Sequence, residues 1–147
     1  MLKKIIGINF IIAFVFLTGC ASGPSYQTFK KTQKPLNPEQ GRIYFTRLDT
    51  MFGAAVTSDI KLNGEVVGSS TSGGFFVIDR APGSYTVSTS TEVERNLQFV
   101  LEANQTVYIE TEVGMGVLVG RIYPKLITEK EAMKQIKENK YDDGLSD

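Results

Sequence analysis

Leu97-Gln98-Phe99-Val100-Leu101-Glu102-Ala103-Asn104-Gln105-Thr106-Val107-Tyr108-Ile109-Glu110-Thr111-Glu112-Val113 decides how the rest of the chain is read. In its first part Leu97, Phe99 and Leu101 share one face, with Gln98 and Glu102 on the other. In its last part Val107, Ile109 and Val113 oppose Glu110 and Glu112. A period of two marks a strand with one buried side. Ala103-Asn104-Gln105 is a short link between two such strands. One-sided burial argues against a parallel α/β sheet, whose strands are covered on both faces, and for antiparallel sheets packed on each other.

Working outward, Ile60 and Leu62 alternate with Asp59 and Lys61, and Tyr85 and Val87 with Thr86 and Ser88. Asn63-Gly64 is a two-residue hairpin signal because both positions tolerate positive φ. Pro82-Gly83 and Gly73-Gly74 mark further turns. Strands are predicted at about Arg42–Leu48, Val56–Leu62, Glu65–Ser70, Phe75–Asp79, Ser84–Ser90, Leu97–Glu102, Thr106–Val113 and Val117–Tyr123. The fold class is therefore all-β, an antiparallel β-sandwich over 41–127. Alternation breaks at Ile43-Tyr44-Phe45 and at Phe75-Phe76-Val77-Ile78. Those strands are either central and covered on both faces, or offer one face to a partner. Thr128-Glu129-Lys130-Glu131 is a capping box, which predicts a short C-terminal α-helix over 128–140 with Ala132, Met133 and Ile136 on its docking stripe. Residues 141–147 read as a disordered tail.

The start of the chain is of another kind. Met1-Leu2-Lys3-Lys4 is basic, Ile5 to Phe16 is an apolar run too short to span a membrane, and Leu17-Thr18-Gly19-Cys20 follows. This resembles the bacterial lipobox, so 1–19 is expected to be a signal peptide that is removed. Cys20 is then the lipid attachment site, carrying acyl chains of the palmitate type. The alternative is a free cysteine beside an ordinary cleavage site. Cys20 is the only cysteine, which excludes an intrachain disulfide. Ala21 rather than Asp follows it, which by resemblance to enterobacterial sorting favours the periplasmic face of an outer membrane, although the side is not encoded. Residues 20–40, with Pro24, Pro35, Pro38 and three lysines, read as a flexible tether reaching roughly 25 Å. It is either a solvated spacer or a stretch resting on anionic head groups.

Composition narrows the function. Lysine plus arginine and aspartate plus glutamate both number 16, and losing Lys3 and Lys4 leaves the mature chain mildly acidic, so a nucleic-acid partner is not expected. There is no histidine, which removes Ser–His–Asp and Cys–His catalysis and His-ligated metal. No nucleophile–base pair is visible, so neither an enzyme nor a cofactor nor a metal site is expected. Gly114-Met115-Gly116-Val117-Leu118-Val119-Gly120 lacks the spacing and the Lys-Ser/Thr of a phosphate loop and reads as a Gly-spaced apolar strand. Glu92/Glu94 and Glu110/Glu112 each point to one face and read as solvated carboxylates rather than a calcium or glycosidase pair. Met51 and Phe52 lie in a loop, where they either form a partner-binding loop or plug one end of the sandwich. Tyr44, Tyr85, Tyr108 and Tyr123 either stack on sugar rings or belong to the core.

Gly41-Arg42-Ile43-Tyr44-Phe45-Thr46-Arg47, Ile60-Lys61-Leu62-Asn63-Gly64-Glu65-Val66-Val67-Gly68, Phe75-Phe76-Val77-Ile78 and Ala81-Pro82-Gly83-Ser84-Tyr85-Thr86-Val87 resemble a family of bacterial lipoproteins known only as a domain of unknown function. The resemblance runs from about Gly41 to Ala132. The Asn-Gly and Pro-Gly-x-Tyr pieces are also similar to PEGA-type small β-domains, which implies an immunoglobulin- or transthyretin-like sandwich. Asn104-Gln105 replaces the usual glycine of the late turn. The resemblance implies a fold and carries no catalytic residues. The expected role is a lipid-anchored, non-catalytic interaction module at the outer membrane, held by lipidated Cys20 and engaging an envelope protein. The alternative is a glycan-binding module for peptidoglycan or surface polysaccharide.

Overall fold

The computed structural model describes residues 20–145. The expected signal peptide at 1–19 and the last two residues lie outside the described residues. The chain runs α1 (Tyr26–Thr32), β1 (Gly41–Thr46), β2 (Asp59–Leu62), β3 (Glu65–Ser69), β4 (Gly74–Arg80), β5 (Gly83–Ser90), β6 (Glu94–Leu101), β7 (Thr106–Gly114), β8 (Arg121–Ile127), α2 (Glu129–Ile136) and β9 (Lys140–Tyr141). One sheet has the order β8-β7-β1-β4-β9 and the other β3-β2-β5-β6. The all-β sandwich is thus present, with the helix near its C-terminus. Two pairs are parallel rather than antiparallel: β1 with β7 and β4 with β9. Parallel neighbours need a long return path, and here the four strands of the opposite sheet, with β4, supply it between β1 and β7.

Between the sheets lie Ile43, Phe45, Ile60, Leu62, Phe76, Val87, Leu101 and Ile109, with Phe45 and Phe76 stacked at 4.7 Å. Burial of each such side chain contributes about 1.5–3 kcal/mol. Gly68 lets the Phe76 ring approach, since a Cβ there would stand 2.3 Å from its tip. The hairpin from β2 to β3 turns on Asn63 (φ 48°) and Gly64 (φ 86°), as the Asn-Gly pair dictates. Asn104 (φ 59°) makes the link from β6 to β7, which carries the chain from one sheet to the other rather than closing a hairpin.

The outer face of the five-stranded sheet has its own core. Tyr44 and Phe75 meet Ala132 and Ile136 of α2, together with Tyr26 and Phe29 of α1. That explains the lost alternation: β1 and β4 are covered by the second sheet on one side and by helices on the other. Helix α2 starts at the expected capping box, where the Thr128 hydroxyl accepts from the Glu131 amide and the Glu131 carboxylate accepts from the Thr128 amide. It ends at Ile136, earlier than expected, and Asn139 instead donates to Thr46 Oγ1, Arg47 O and Gly74 O. Thr128→Ala is expected to cost about 1 kcal/mol, read as a shift in the urea midpoint at constant slope.

Three expectations need correction. Residues 20–40 are not a free tether: α1 docks through Phe29, which stacks on Tyr141 at 4.6 Å and meets Phe75 edge-on at 5.4 Å. Apolar contacts made by Tyr26 and Phe29 outweigh the weak helix propensity of a seven-residue segment. The tail is ordered through 145, because the Asp142 amide donates to Phe75 O and the Ser69 amide to Asp143 O. The eighth strand is Arg121–Ile127, not Val117–Tyr123. Pro124 is tolerated because β8 is an edge strand.

Candidate functional site

Pairing register places the ends of β1, β3, β5 and β7 and the starts of β2, β4, β6 and β8 at one end of the sandwich. Among the described residues, eight of the twelve exposed large hydrophobic ones sit in the loops there: Leu48, Met51, Phe52, Val93, Met115, Val117, Leu118 and Val119. Met51 is 98% exposed and Phe52 60%, so this pair does not plug the sandwich. Leu118 and Val117 are 89% and 82% exposed. The two loops touch. A Cβ on Gly53 would lie 2.5 Å from Val113, and one on Gly120 would lie 3.0 Å from Val113 and 3.3 Å from Val56.

Each loop is held from beneath by a charged group. Arg47, just past β1 and 3% exposed, donates to Gly53 O, Val56 O and Ser70 O. Burial lowers the pKa of its guanidinium, yet arginine keeps its charge. The charge is spread over carbonyl dipoles rather than matched to a carboxylate. On the other loop, Glu92 accepts from the Val117 amide at 2.7 Å, the Leu118 amide at 3.0 Å and Arg121 Nε at 3.0 Å. Those two amides, then Arg121, hold its carboxyl below the ordinary range. Gly116 fits under this arch because a Cβ would strike Val119 O and the Glu92 carboxylate.

The depressed carboxyl sets a pH dependence. Its stabilisation is fully present above the unfolded carboxylate value of about 4.3 and is lost as pH falls through the lower folded value. Acidification is therefore expected to speed exchange of the Val117 and Leu118 amides relative to the strand amides. Glu92→Gln should show the same difference already at neutral pH, by hydrogen-exchange mass spectrometry. Equal exchange in both proteins would disprove the arch.

Cys20 is exposed and stands at this same end. It forms a parallel bridge with Ser72, and the Ala21 amide donates to Ser72 O at 3.1 Å. The Ser72 hydroxyl reaches Asp49, two residues before Met51, and Gly73 lies against the Asp49 side chain. A groove of about 610 Å³ opens between Leu48 and α2, lined by Lys130, Met133, Lys134 and Lys137.

Other expected residues fall elsewhere. Glu112 is on the solvated side, but Glu110 is 5% exposed: Lys125 Nζ lies 3.2 Å away and Gln135 Nε2 donates to it at 2.8 Å. Lys125 also reaches Glu112 at 2.6 Å, so one lysine serves both carboxylates. Glu92 is turned to its loop, whereas Glu94 contacts Asn96. Tyr44 stacks on Tyr108 at 5.3 Å and Tyr85 on Phe99 at 5.9 Å, while Tyr123 lies under Arg95. Tyr44 and Tyr108 share the helix-covered face of the five-stranded sheet, Tyr85 and Tyr123 pack elsewhere, and the four form no common platform. The sequence reading missed Met115, Val117, Leu118 and Val119 as a surface, since Gly-spaced valine and leucine carry a strand signal. Glu92, which holds this segment as a loop, lies 25 residues from Val117 in the chain, so no local signal marks the pairing.

A family model described as "Protein of unknown function (DUF2846)" matches residues 29–121, from within α1 to the start of β8. It takes in both apolar loops and leaves out α2. A Haemophilus influenzae protein carrying the description "Uncharacterized protein" is 25% identical over 134 residues, 90% of this chain and 79% of that protein.

Proposed function

The chain belongs to the DUF2846 family of proteins of unknown function, and from that premise we propose that it works as a lipid-anchored, non-catalytic interaction module of the bacterial envelope. The observation that carries this reading is the position of Cys20, exposed and docked beside the loop of Met51 and Phe52. A basic start, an apolar run and Leu17-Thr18-Gly19-Cys20 lead into it. The thiol would displace the phosphorylated head group of a membrane phospholipid to form a thioether to diacylglycerol, its proton leaving with that head group, and water would then hydrolyse the peptide bond before Cys20. Each buried methylene contributes about 0.8 kcal/mol, so two or three acyl chains hold essentially permanently where one does not. Ala21 supports the outer membrane as the destination. The module then acts by display: the anchor fixes where the sandwich stands, and its sides are left to meet an envelope protein.

The test is the intact mass of the full-length protein extracted from membranes of a two-membrane bacterium. Loss of residues 1–19 together with a gain of lipid mass is expected, as is transfer of Cys20→Ala out of the outer-membrane fraction. An unmodified thiol that reacts with maleimide would refute the anchor.

A further inference from the structure

We infer that the end of the sandwich formed by Met51, Phe52, Met115, Val117 and Leu118 is seated in the lipid surface, so that the domain stands on the membrane through protein as well as through its anchor. This deepens the lipoprotein reading and rests on it for the identity of the membrane. Three observations point to lipid as the occupant. Among the described residues the exposed large apolar side chains are concentrated at this end rather than scattered, with only Val66, Val100, Leu126 and Leu145 outside its loops. The loops are preformed, one on the Arg47 guanidinium and one on the Glu92 carboxylate, so no ordering has to accompany insertion. Third, the chain enters the structure here. Cys20 is paired to Ser72, and Ser72 and Gly73 contact Asp49. Acyl chains carried on Cys20 would therefore start at the foot of the Met51–Phe52 loop.

Had residues 20–40 been a free tether, the anchor would say nothing about which face meets the membrane. Because α1 and the Cys20–Ser72 bridge tie the segment down, it does. The groove beside Leu48 is lined by Lys130, Lys134 and Lys137 against Glu138, so anionic head groups add a modest attraction to the apolar contact that seats the loops. Met51 and Phe52, expected from sequence as a partner-binding loop, thus meet lipid, and a protein partner is left the sides of the sandwich.

The test places a photoreactive benzophenone side chain at Leu118, at Phe52 or at Val100. Val100 is 62% exposed on β6 near the opposite end. Each full-length protein, as extracted from membranes, is reconstituted into vesicles of phosphatidylethanolamine and phosphatidylglycerol and irradiated. Phospholipid adducts are expected at 118 and 52, about tenfold above those at 100, a ratio within what burial of one leucine supports. Equal yields at 118 and 100, or a protein adduct in place of lipid at 118 in intact cells, would overturn the proposal. The intact mass of the same sample reports acylation separately. Phospholipid capture at 118 with an unmodified Cys20 would sustain the seating and refute the anchor, and an acylated Cys20 without capture would do the reverse.

Discussion

Phe75→Ala should lower the stability of the domain by about 3–5 kcal/mol and its melting temperature by on the order of 10 °C. Phe75 is 1% exposed and stands edge-on to three rings: Phe29 at 5.4 Å, Tyr141 at 5.7 Å and Tyr26 at 5.9 Å. It is the side chain on which α1, α2 and β9 converge, and a seven-residue helix has no stability of its own to fall back on. Its removal therefore acts at two levels. Globally it opens a cavity between the five-stranded sheet and the helices. Locally it frees α1, and with it the segment that holds Cys20 at Ser72. Native-state trypsin digestion separates the two, because Lys30, Lys31 and Lys34 lie in or just after that helix. Cleavage there is expected to rise before any cut in the sheets. An unchanged melting curve with an unchanged digest would show that the second core does not hold the segment.

The second large effect is expected at Arg47. Arg47→Met keeps much of the aliphatic volume and removes the fork that serves Gly53 O, Val56 O and Ser70 O. Hydrogen bonds from a charged donor contribute about 1.5–3 kcal/mol each, but removing several from one group is not additive. A net loss of about 3 kcal/mol follows, read as the urea midpoint. The position of the effect matters as much as its size. Amides between 49 and 57 should lose exchange protection while those of β7 and β8 keep theirs. Uniform loss would mean that Arg47 supports the fold at large and not the loop. Arg47→Lys keeps the charge but cannot reach three carbonyls in one plane, and should recover only part of the stability.

Most strands were legible because a half-buried strand writes its two faces into alternate residues, as Leu97–Leu101 and Thr106–Val113 do. The capping box at Thr128 was legible for the same local reason: its partners are three residues apart. What escaped depends on distant parts of the chain. Helix α1 does carry local signals, Ser25 as N-cap for the Thr28 amide and Lys30 and Lys31 in its last turn, but seven residues do not hold as a helix without the contacts to Phe75 and Tyr141. Burial of Glu110 follows from Lys125 on β8 and Gln135 on α2, neither of which is near it in sequence. The apolar loop at 115–119 was mistaken for strand because β-branched residues carry the same signal whether they pair or project. The Met51–Phe52 half of the candidate site was named from sequence; the other half was not.

The manner in which residues 20–40 lie on the sandwich also has a mechanical meaning. Tension applied at Cys20 meets its weakest links first, the single bridges at Ser72 and Lys140, and then the aromatic contacts of α1. The bonds from Gln33 to Tyr44 and from Arg42 to Lys34 O come next, and only after those have given way does the load reach Gly41, where β1 is paired on both sides. The peeled segment would span about 70 Å at full extension. A sandwich hauled away from its anchor point would thus lengthen its leash well before it yielded.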